Sequence, residues 1–378
     1  MKTLTIDING YIEGYYGRLL KWSERHAIVK KLHDIQFNSY FYCPKEDPKH
    51  RYNWRESYTI KWTKAFNNFC KIAKKHNIQV LYGIAPGLDY NFKKCSNDFK
   101  VLFQKIKTLK INGASRIVLM FDDIPRKNYI FDNISKTEGA LHGELANSIA
   151  KELEEDIFVV PRVYSDELFD NDSDYLSDFC KTVNKNISIF YCGKKIIADT
   201  NSLRELASIK KTTSNNLIFW DNLYANDYCP QKIFLCPWLG RNNVNNVMIN
   251  PTGLIQTDLM LLDLIGLTKH NQDNLKNWEN ILKKYNVPKQ FQNISKYFYP
   301  INYLEKEIIN KKIIYDEIEC LDFLLWKWKT PLAREWYQYL FILKQDLNLL
   351  HNNLEKERIK KNFSIPLNEF INKKLGEI

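Results

Sequence analysis

Eight short apolar runs, separated by longer segments with helical spacing, constrain the fold of this chain more than any other feature. Each run is rich in β-branched and aromatic residues and ends at polar, glycine or proline residues, as buried strands do. The runs are Leu4–Ile8, Ser39–Tyr42, Gln79–Ile84, Arg116–Phe121, Ile157–Val160, Ile187–Tyr191, Leu217–Trp220 and Asn246–Ile249. Eight strand–helix units predict an α/β fold of the (β/α)8 TIM-barrel type. A doubly wound open sheet is the alternative, but no glycine-rich phosphate loop follows the first run.

The segments between the runs carry apolar residues at helical spacing, as helices that cover a barrel do. The apolar faces are Ile28, Leu32 and Ile35, then Phe66, Phe69, Cys70 and Ala73, then Phe103, Ile106 and Leu109. After about residue 270 strand-like runs stop, and only helical spacing continues, over Leu275–Tyr285, Val287–Phe298, Tyr303–Trp328 and Leu332–Glu357. A chain of 378 residues has room for a barrel of about 250 residues and an extra domain. We predict a barrel domain over residues 1–270 and a helical C-terminal domain over residues 271–378.

Charge and cysteine content narrow the class of protein. The formal net charge is +11, but Lys and Arg are spread along the chain, with a denser stretch at Lys356–Lys361 and no zinc-finger or RNP motif. This pattern favours a solvated basic surface over a nucleic-acid site. The eight cysteines form no CxxC pair, the N-terminus lacks the apolar core of a signal peptide, and no run of 18 apolar residues occurs. We expect a cytoplasmic protein with free thiols and no membrane association. The seven histidines form no HExxH spacing, so we expect neither a metal nor an organic cofactor.

The adjacent acids Asp122 and Asp123 are the sharpest chemical feature, because they follow the fourth predicted strand. In a TIM barrel the active site lies at the carboxyl ends of the strands. Two carboxylates held together cannot both ionise freely, so one of them is expected to have a raised pKa and to serve as an acid. A bare acidic pair is more often a solvated turn. Neighbouring residues are also closer than the roughly 5 Å that separates the acid and the nucleophile of ordinary retaining glycosidases. The pair alone therefore leaves the mechanism open.

Further polar motifs follow the other predicted strands in order. They are Glu13-Gly-Tyr-Tyr-Gly-Arg18, Tyr42-Cys-Pro-Lys-Glu-Asp47 with His50-Arg51, Pro86-Gly-Leu-Asp89, Phe121-Asp-Asp-Ile124, Trp220-Asp-Asn222 with Ala225-Asn-Asp-Tyr228, and Asn250-Pro251. Together they resemble glycoside hydrolase family 84, the O-GlcNAcase and bacterial hyaluronidase-like β-N-acetylglucosaminidases. The resemblance runs from about Gly10 to Pro251, about two thirds of the chain.

The resemblance implies a retaining exo-β-N-acetylglucosaminidase that works by substrate-assisted catalysis, an exception to the usual carboxylate pair. The acetamido oxygen of the sugar attacks the anomeric carbon and forms an oxazoline. In this scheme Asp122 accepts the acetamido N–H and stabilises the oxazolinium, while Asp123 protonates the leaving oxygen and then activates water. The remaining roles by resemblance are Gly14 and Lys45 at the 3-hydroxyl, Tyr164 at the acetamido group or intermediate, Trp220 and Asn222 at the acetamido pocket, and Asp227 and Asn250 at sugar hydroxyls.

Two departures from the family pattern concern the loops. Leu19-Leu20 stands where the family has Pro-Trp, and Tyr191-Cys192-Gly193 stands where a Thr-Gly-Pro or Ser-Gly-Pro turn is usual. The expected partner is a GlcNAc-bearing glycan or glycoprotein, and the C-terminal helices offer a surface for homo-oligomers. Two alternatives stay open, namely a catalytically weak GlcNAc-glycan-binding protein on the same fold and a basic polyanion or nucleic-acid binder. The sequence does not name the natural aglycone.

Overall fold

The fold is a closed parallel barrel whose strands follow one another in sequence order. It is seen in a computed structural model that describes residues 7–93, 96–126, 136–171, 173–198, 205–241, 245–270, 273–299 and 311–352. The strands are β1 (Gly10–Glu13), β2 (Ser39–Tyr42), β3 (Gln79–Ile84), β4 (Arg116–Met120), β5 (Phe158–Val160), β6 (Ser188–Tyr191), β7 (Leu217–Asp221) and β8 (Val247–Ile249). Since β8 pairs with β1, the sheet has no open edge. The predicted (β/α)8 barrel is confirmed.

The first strand is the one that the apolar runs misplaced. Leu4–Ile8 was predicted as a strand, but residues 7–9 are not in one, and residues 4–6 lie outside the described part of the chain. The strand is Gly10–Glu13, although glycine and glutamate are depleted in strands. A Cβ on Gly10 would lie 1.9 Å from the carbonyl oxygen of Ser39, so the close approach of β2 requires glycine. The fully buried Glu13 is neutralised by Arg25, whose Nη2 donates to Glu13 at 2.7 Å.

The other strands begin and end within one residue of their predicted bounds. Their alternate side chains fill the barrel interior, where Phe41, Leu81, Val118, Phe190 and Ile218 are fully buried in one apolar cluster. The opposite side chains are buried as well, because helices cover the outside. Strands buried on both faces are continuous apolar runs, which is why the sequence located them.

Helices lie between the strands and after the last one. They are α1 (Trp22–Asp34), α2 (Ile60–Lys75), α3 (Asp98–Ile111), α4 (Glu138–Leu153), α5 (Ser173–Thr182), α6 (Ile209–Thr212) and α7 (Ile255–His270). The start of α2 is capped by Thr59, whose hydroxyl accepts from the backbone N–H of Trp62 at 3.3 Å. Its predicted apolar face is buried. On α3, Leu102 rather than the predicted Phe103 joins Ile106 and Leu109 in the core.

The C-terminal part is helical, as predicted. It contains α8 (Asn274–Lys284), α9 (Gln290–Ile294), α10 (Lys311–Trp326) and α11 (Pro331–Asn352). The chain forms two compact units, one comprising Met1–Pro230 and Pro237–Ile281 and the other Gln231–Cys236 and Leu282–Ile378. In the second unit the buried indole of Trp336 packs against Phe291 at 5.0 Å. The proposed boundary between residues 270 and 271 stays a prediction, and the basic stretch Lys356–Lys361 lies outside the described residues.

Within the described ranges, no helix combines the length and the apolar character needed to cross a bilayer.

Candidate active site

A cavity of about 610 Å³ opens at the carboxyl ends of the strands. That size is within the usual range of small-molecule sites, roughly 300–1,000 Å³. The structure brings to this cavity every residue that the sequence predicted for the site, namely Gly14, Lys45, Asp122, Asp123, Tyr164, Trp220, Asn222, Asp227 and Asn250. They come from loops after β1, β2, β4, β5, β7 and β8, or from the end of β7 itself.

The acidic pair lies on a turn that presents both carboxylates to the cavity. Asp123 has a φ of 54°, in the left-handed region, so the two side chains do not alternate as they would in a strand. That conformation costs a non-glycine residue roughly 1–2 kcal/mol. The guanidinium of Arg51 offsets this cost, because its Nη2 donates to the carbonyl oxygens of Asp122 at 2.7 Å and Asp123 at 2.8 Å. From the sequence, Arg51 was expected only as part of a motif and had no role of its own.

Asp122 is a buried carboxylate with one oxygen engaged and one oxygen free. Its residue is 5% exposed, Oδ2 accepts from the ammonium of Lys45, and Oδ1 has no hydrogen-bond partner among the residues that the structure describes. Burial alone raises the pKa of this carboxyl, but the positive charges of Lys45 and Arg51 outweigh burial and hold the pKa below its usual value. Asp122 therefore stays ionised and offers the cavity an unused acceptor.

Asp123 is the more exposed member of the pair, with 34% of its side chain accessible. Oδ1 accepts from the hydroxyl of Tyr164 at 2.8 Å and Oδ2 from the hydroxyl of Tyr16 at 2.9 Å. Burial, together with the charge of Asp123, raises the pKa of both phenols, that of Tyr16 to about 12. Both tyrosines are therefore neutral donors near pH 7. Sequence reasoning selected Tyr164 but missed Tyr16, although Tyr16 lies inside the Glu13–Arg18 motif.

Lys45 supplies the positive charge beside the pair. Its residue is 5% exposed, and its Nζ lies 3.7 Å from Oδ2 of Asp123 in addition to its contact with Asp122. Burial lowers the pKa of this ammonium, but the two carboxylates overcome that effect and raise the pKa above its ordinary value. Lys45 thus remains a cation, and its ammonium is directed at the pair.

The opposite wall is held by hydrogen bonds that converge on Asn222. Its Oδ1 accepts from Nε1 of Trp220 at 2.8 Å and from Nδ2 of Asn250 at 2.9 Å, and its Nδ2 donates to the carbonyl of Ile196 at 2.9 Å. Both ends of the Asn222 amide are therefore bonded to protein. The buried Oδ1 of Asn250 finds no hydrogen-bond partner in the described part of the chain, which leaves a second acceptor on the cavity.

Gly14 and Asp227 connect the loop after β1 with β7 and the loop after it. A Cβ on Gly14 would lie 2.9 Å from the indole of Trp220, so this close approach requires glycine. Oδ2 of Asp227 accepts from the backbone N–H of Tyr16 at 3.0 Å. This contact fixes the loop that carries Tyr16 beside the acidic pair.

The two departures from the family pattern differ in their effect on the site. Leu19, 53% exposed, and Leu20, 5% exposed, do not line the cavity. Cys192 does line it, and its Sγ lies 3.6 Å from Nδ2 of Asn222. Burial raises the pKa of this thiol well above its usual value, so Cys192 is a neutral, largely apolar part of the wall.

Within the described ranges, no group of three or more His, Cys, Asp or Glu side chains is arranged so that it could hold a metal ion.

Comparison with known proteins gives the family. The model of the NAGidase family, described as beta-N-acetylglucosaminidase, matches residues 9–296. The protein O-GlcNAcases of Mus musculus and Rattus norvegicus are each 26% identical to this chain, over 254 and 256 residues, which is 64% of this chain and 28% of each relative. The chain thus matches little more than a quarter of the length of those relatives. A solved mutant of the O-GlcNAc hydrolase of Thermobaculum terrenum, 19% identical, has the same fold with a TM-score of 0.78, over 94% of this chain and 86% of that one. Because the family model covers most of the barrel and its site loops, this chain belongs to the β-N-acetylglucosaminidases of glycoside hydrolase family 84.

Proposed function

We propose that this protein is a retaining exo-β-N-acetylglucosaminidase that releases terminal β-linked GlcNAc by substrate-assisted catalysis. The observation that carries the proposal is the unequal environment of two adjacent carboxylates in one cavity. Asp122 is buried and paired with Lys45, whereas Asp123 is accessible at the same cavity. Family membership and the names of the O-GlcNAcase relatives support the same activity.

Asp122 is assigned to the acetamido group of the substrate. Its unpartnered Oδ1 is an acceptor for the acetamido N–H, and Lys45 keeps it charged. An ionised acceptor at that nitrogen increases the electron density on the acetamido oxygen and stabilises the positive charge of the oxazolinium. Holding the acetamido oxygen against the anomeric carbon also supplies a proximity effect, worth up to about 7–11 kcal/mol in well-oriented intramolecular reactions.

Asp123 is assigned to proton transfer. In the first step the acetamido oxygen forms a bond to the anomeric carbon, the glycosidic bond breaks, and the proton of Asp123 moves to the leaving oxygen. In the second step water attacks the anomeric carbon, Asp123 takes a proton from that water, and the acetamide is restored. Two inversions at one carbon give retention. The exposure of the Asp123 side chain suits a group that must meet both the leaving oxygen and water.

The other wall residues are assigned to the sugar ring. Trp220 offers an apolar surface, and Asn250 and Asp227 offer acceptors for sugar hydroxyls. Asn222 acts by holding Trp220 and Asn250 in place, because its own amide is bonded to protein at both ends. We assign the substrate to GlcNAc-bearing glycans or glycoproteins, and the O-GlcNAcase relatives favour protein-linked GlcNAc.

We further propose that the C-terminal helices mediate homo-oligomerisation. Several aromatic side chains of α10 and α11 are exposed, including Trp326 at 51%, Tyr337 at 41% and Phe341 at 39%. An exposed group of large apolar side chains is typical of an interaction surface. The molar mass in solution, measured by light scattering, tests this directly, and a monomer at every concentration would contradict it.

The decisive experiment is turnover of an aryl β-GlcNAc by the wild type, Asp122→Asn and Asp123→Asn. The wild type should release the aryl group. Asp123→Asn should lose about 10²-fold or more in kcat for a poor leaving group, the usual size of an acid–base contribution. Asp122→Asn should lose about 10²–10³-fold in kcat, the usual size of an electrostatic stabilisation of the transition state. No turnover by the wild type across a wide pH range would refute the proposal. Binding of a GlcNAc-derived thiazoline without turnover would support the glycan-binding alternative instead.

A further inference from the structure

The carboxylate of Asp123 is held between two phenol hydroxyls that come from different loops. Tyr16, from the loop after β1, donates to Oδ2 at 2.9 Å, and Tyr164, from the loop after β5, donates to Oδ1 at 2.8 Å. A third of the Asp123 side chain is accessible, so packing does not fix its orientation. The two hydroxyls therefore determine the orientation of the carboxylate, with Oδ2 toward Tyr16 and Oδ1 toward Tyr164.

Arg51 fixes the direction of one of these hydrogen bonds. Its Nη1 lies 3.4 Å from the hydroxyl oxygen of Tyr16. A guanidinium has donors and no acceptor, so the hydroxyl proton of Tyr16 is directed away from Arg51 and toward Asp123. Arg51 is 3% exposed, and its Nη2 is fastened to the two carbonyl oxygens of the acidic turn. One buried side chain thus orients the turn and the hydroxyl together.

The two oxygens of Asp123 consequently have different surroundings. Oδ2 accepts from the oriented hydroxyl of Tyr16, and the positive charge of the Lys45 ammonium lies 3.7 Å from it. Oδ1 faces the hydroxyl of Tyr164. Donors stabilise negative charge on the oxygen that they surround and disfavour a proton there.

We propose that Tyr16, oriented by Arg51, is a positioning residue that keeps the charge of Asp123 on Oδ2 and leaves Oδ1 as the oxygen that exchanges the proton. The inference rests on the proposed function, since it concerns the acid–base step of that reaction. It gives Tyr16 and Arg51 a task that neither the motif nor the roles carried over from the family assigned to them.

The test is Tyr16→Phe, which removes the hydroxyl and keeps the ring. Tyr52→Phe is the matched control, because Tyr52 follows Arg51, is 64% exposed and does not line the cavity. The kcat and KM values are measured with two aryl β-GlcNAc substrates. The dinitrophenyl glycoside has a leaving group that departs without a proton, whereas the phenyl glycoside requires protonation.

We expect Tyr16→Phe to lower kcat about 10-fold or more on the phenyl glycoside and less than about 3-fold on the dinitrophenyl glycoside, because only the first needs a positioned acid. Tyr52→Phe should match the wild type on both. An equal loss on both substrates would show a merely structural role and overturn the inference, as would an unchanged kcat on the phenyl glycoside.

The outcome also separates this inference from the proposed function. If the wild type turns over both glycosides and Tyr16→Phe shows no leaving-group selectivity, only the role of Tyr16 fails. If the wild type turns over neither glycoside, the proposed function fails and the inference fails with it. Thermal unfolding of Tyr16→Phe should match that of the wild type, since the residue is 41% exposed and the ring is kept.

Discussion

Replacing Lys45 by methionine should destabilise the protein, because Asp122 would remain as a buried charge with less compensation. The Lys45 and Asp122 side chains are 2% and 7% exposed, so water screens their attraction only weakly. Two unit charges 4 Å apart attract by about 4 kcal/mol at an effective dielectric constant of about 20. Breaking a buried pair typically costs about 3–5 kcal/mol. We therefore expect the free energy of unfolding of Lys45→Met to fall by about 3–5 kcal/mol near pH 7.

The pH dependence of this loss has a definite sign. In the wild type the pKa of Asp122 is below its usual value, so its ionisation stabilises the fold above the unfolded pKa of about 3.9. That contribution disappears as the pH falls through the lower folded pKa. Without Lys45, burial acts with less opposition and raises the folded pKa, so ionised Asp122 opposes folding at neutral pH. Acidification from about pH 7 to about pH 5 should then stabilise Lys45→Met relative to the wild type.

Urea unfolding followed by tryptophan fluorescence measures both effects, since the chain contains 9 tryptophans. Lys49→Met is the control, because the Lys49–Glu56 pair at 3.4 Å has side chains that are 23% and 57% exposed, and such a pair contributes less than about 1 kcal/mol. Adding Asp122→Asn to Lys45→Met should recover part of the loss by removing the unpaired charge. A Lys45→Met protein as stable as the Lys49→Met control, or with the wild-type pH dependence, would refute the reasoning.

Three further predictions concern other residues of the protein. Arg241→Met should lower the free energy of unfolding, measured by urea unfolding, by about 3–5 kcal/mol, since Arg241 and Asp221 form a fully buried ion pair at 2.8 Å. A loss below about 1 kcal/mol would contradict this. Gly14→Ala should lower kcat/KM for an aryl β-GlcNAc by up to about 10²-fold, because the new Cβ would lie 2.9 Å from the indole of Trp220 and displace that ring from the cavity wall. Unchanged kinetics would contradict this. Iodoacetamide near pH 8 should alkylate the partly exposed Cys320 and leave Cys192 unmodified, because burial raises the pKa of the Cys192 thiol. Peptide mass mapping identifies the labelled cysteines, and rapid labelling of Cys192 would contradict the prediction.

The sequence located most of the barrel for a physical reason. Strands β2 to β8 are buried on both faces, so each is an uninterrupted apolar run that stands out from amphipathic helices. Strand β1 was misplaced because Gly10 and Glu13 are not typical strand residues. Each of them fits a strand only because of a residue elsewhere in the sequence. Gly10 is required by the close approach of Ser39, and the charge of Glu13 is paired with the guanidinium of Arg25. Apolar patterning contains no information about such partners.

The candidate site shows the same division. Strand-end placement, together with the family motifs, selected residues that all line one cavity. Tyr16 and Arg51 lie in the sequence motifs, but the motifs predict no role for them, because their contribution depends on which atom donates each hydrogen bond and which accepts it. A hydroxyl 2.9 Å from Asp123 and a guanidinium 3.4 Å behind that hydroxyl are facts of three-dimensional geometry. The amide of Asn222, bonded to protein at both ends, was likewise invisible in the sequence.

In the proposed mechanism the acetamido group of the substrate, held by Asp122, is the nucleophile. The most direct measurement is kcat/KM for a series of aryl β-glycosides in which the N-acetyl group carries no, one, two or three fluorine atoms. Each fluorine withdraws electron density from the carbonyl oxygen, so substrate-assisted catalysis predicts a steep, stepwise fall in kcat/KM across the series. Equal values across the series would contradict the account, because they would mean that a group of the protein, and not the substrate, attacks the anomeric carbon.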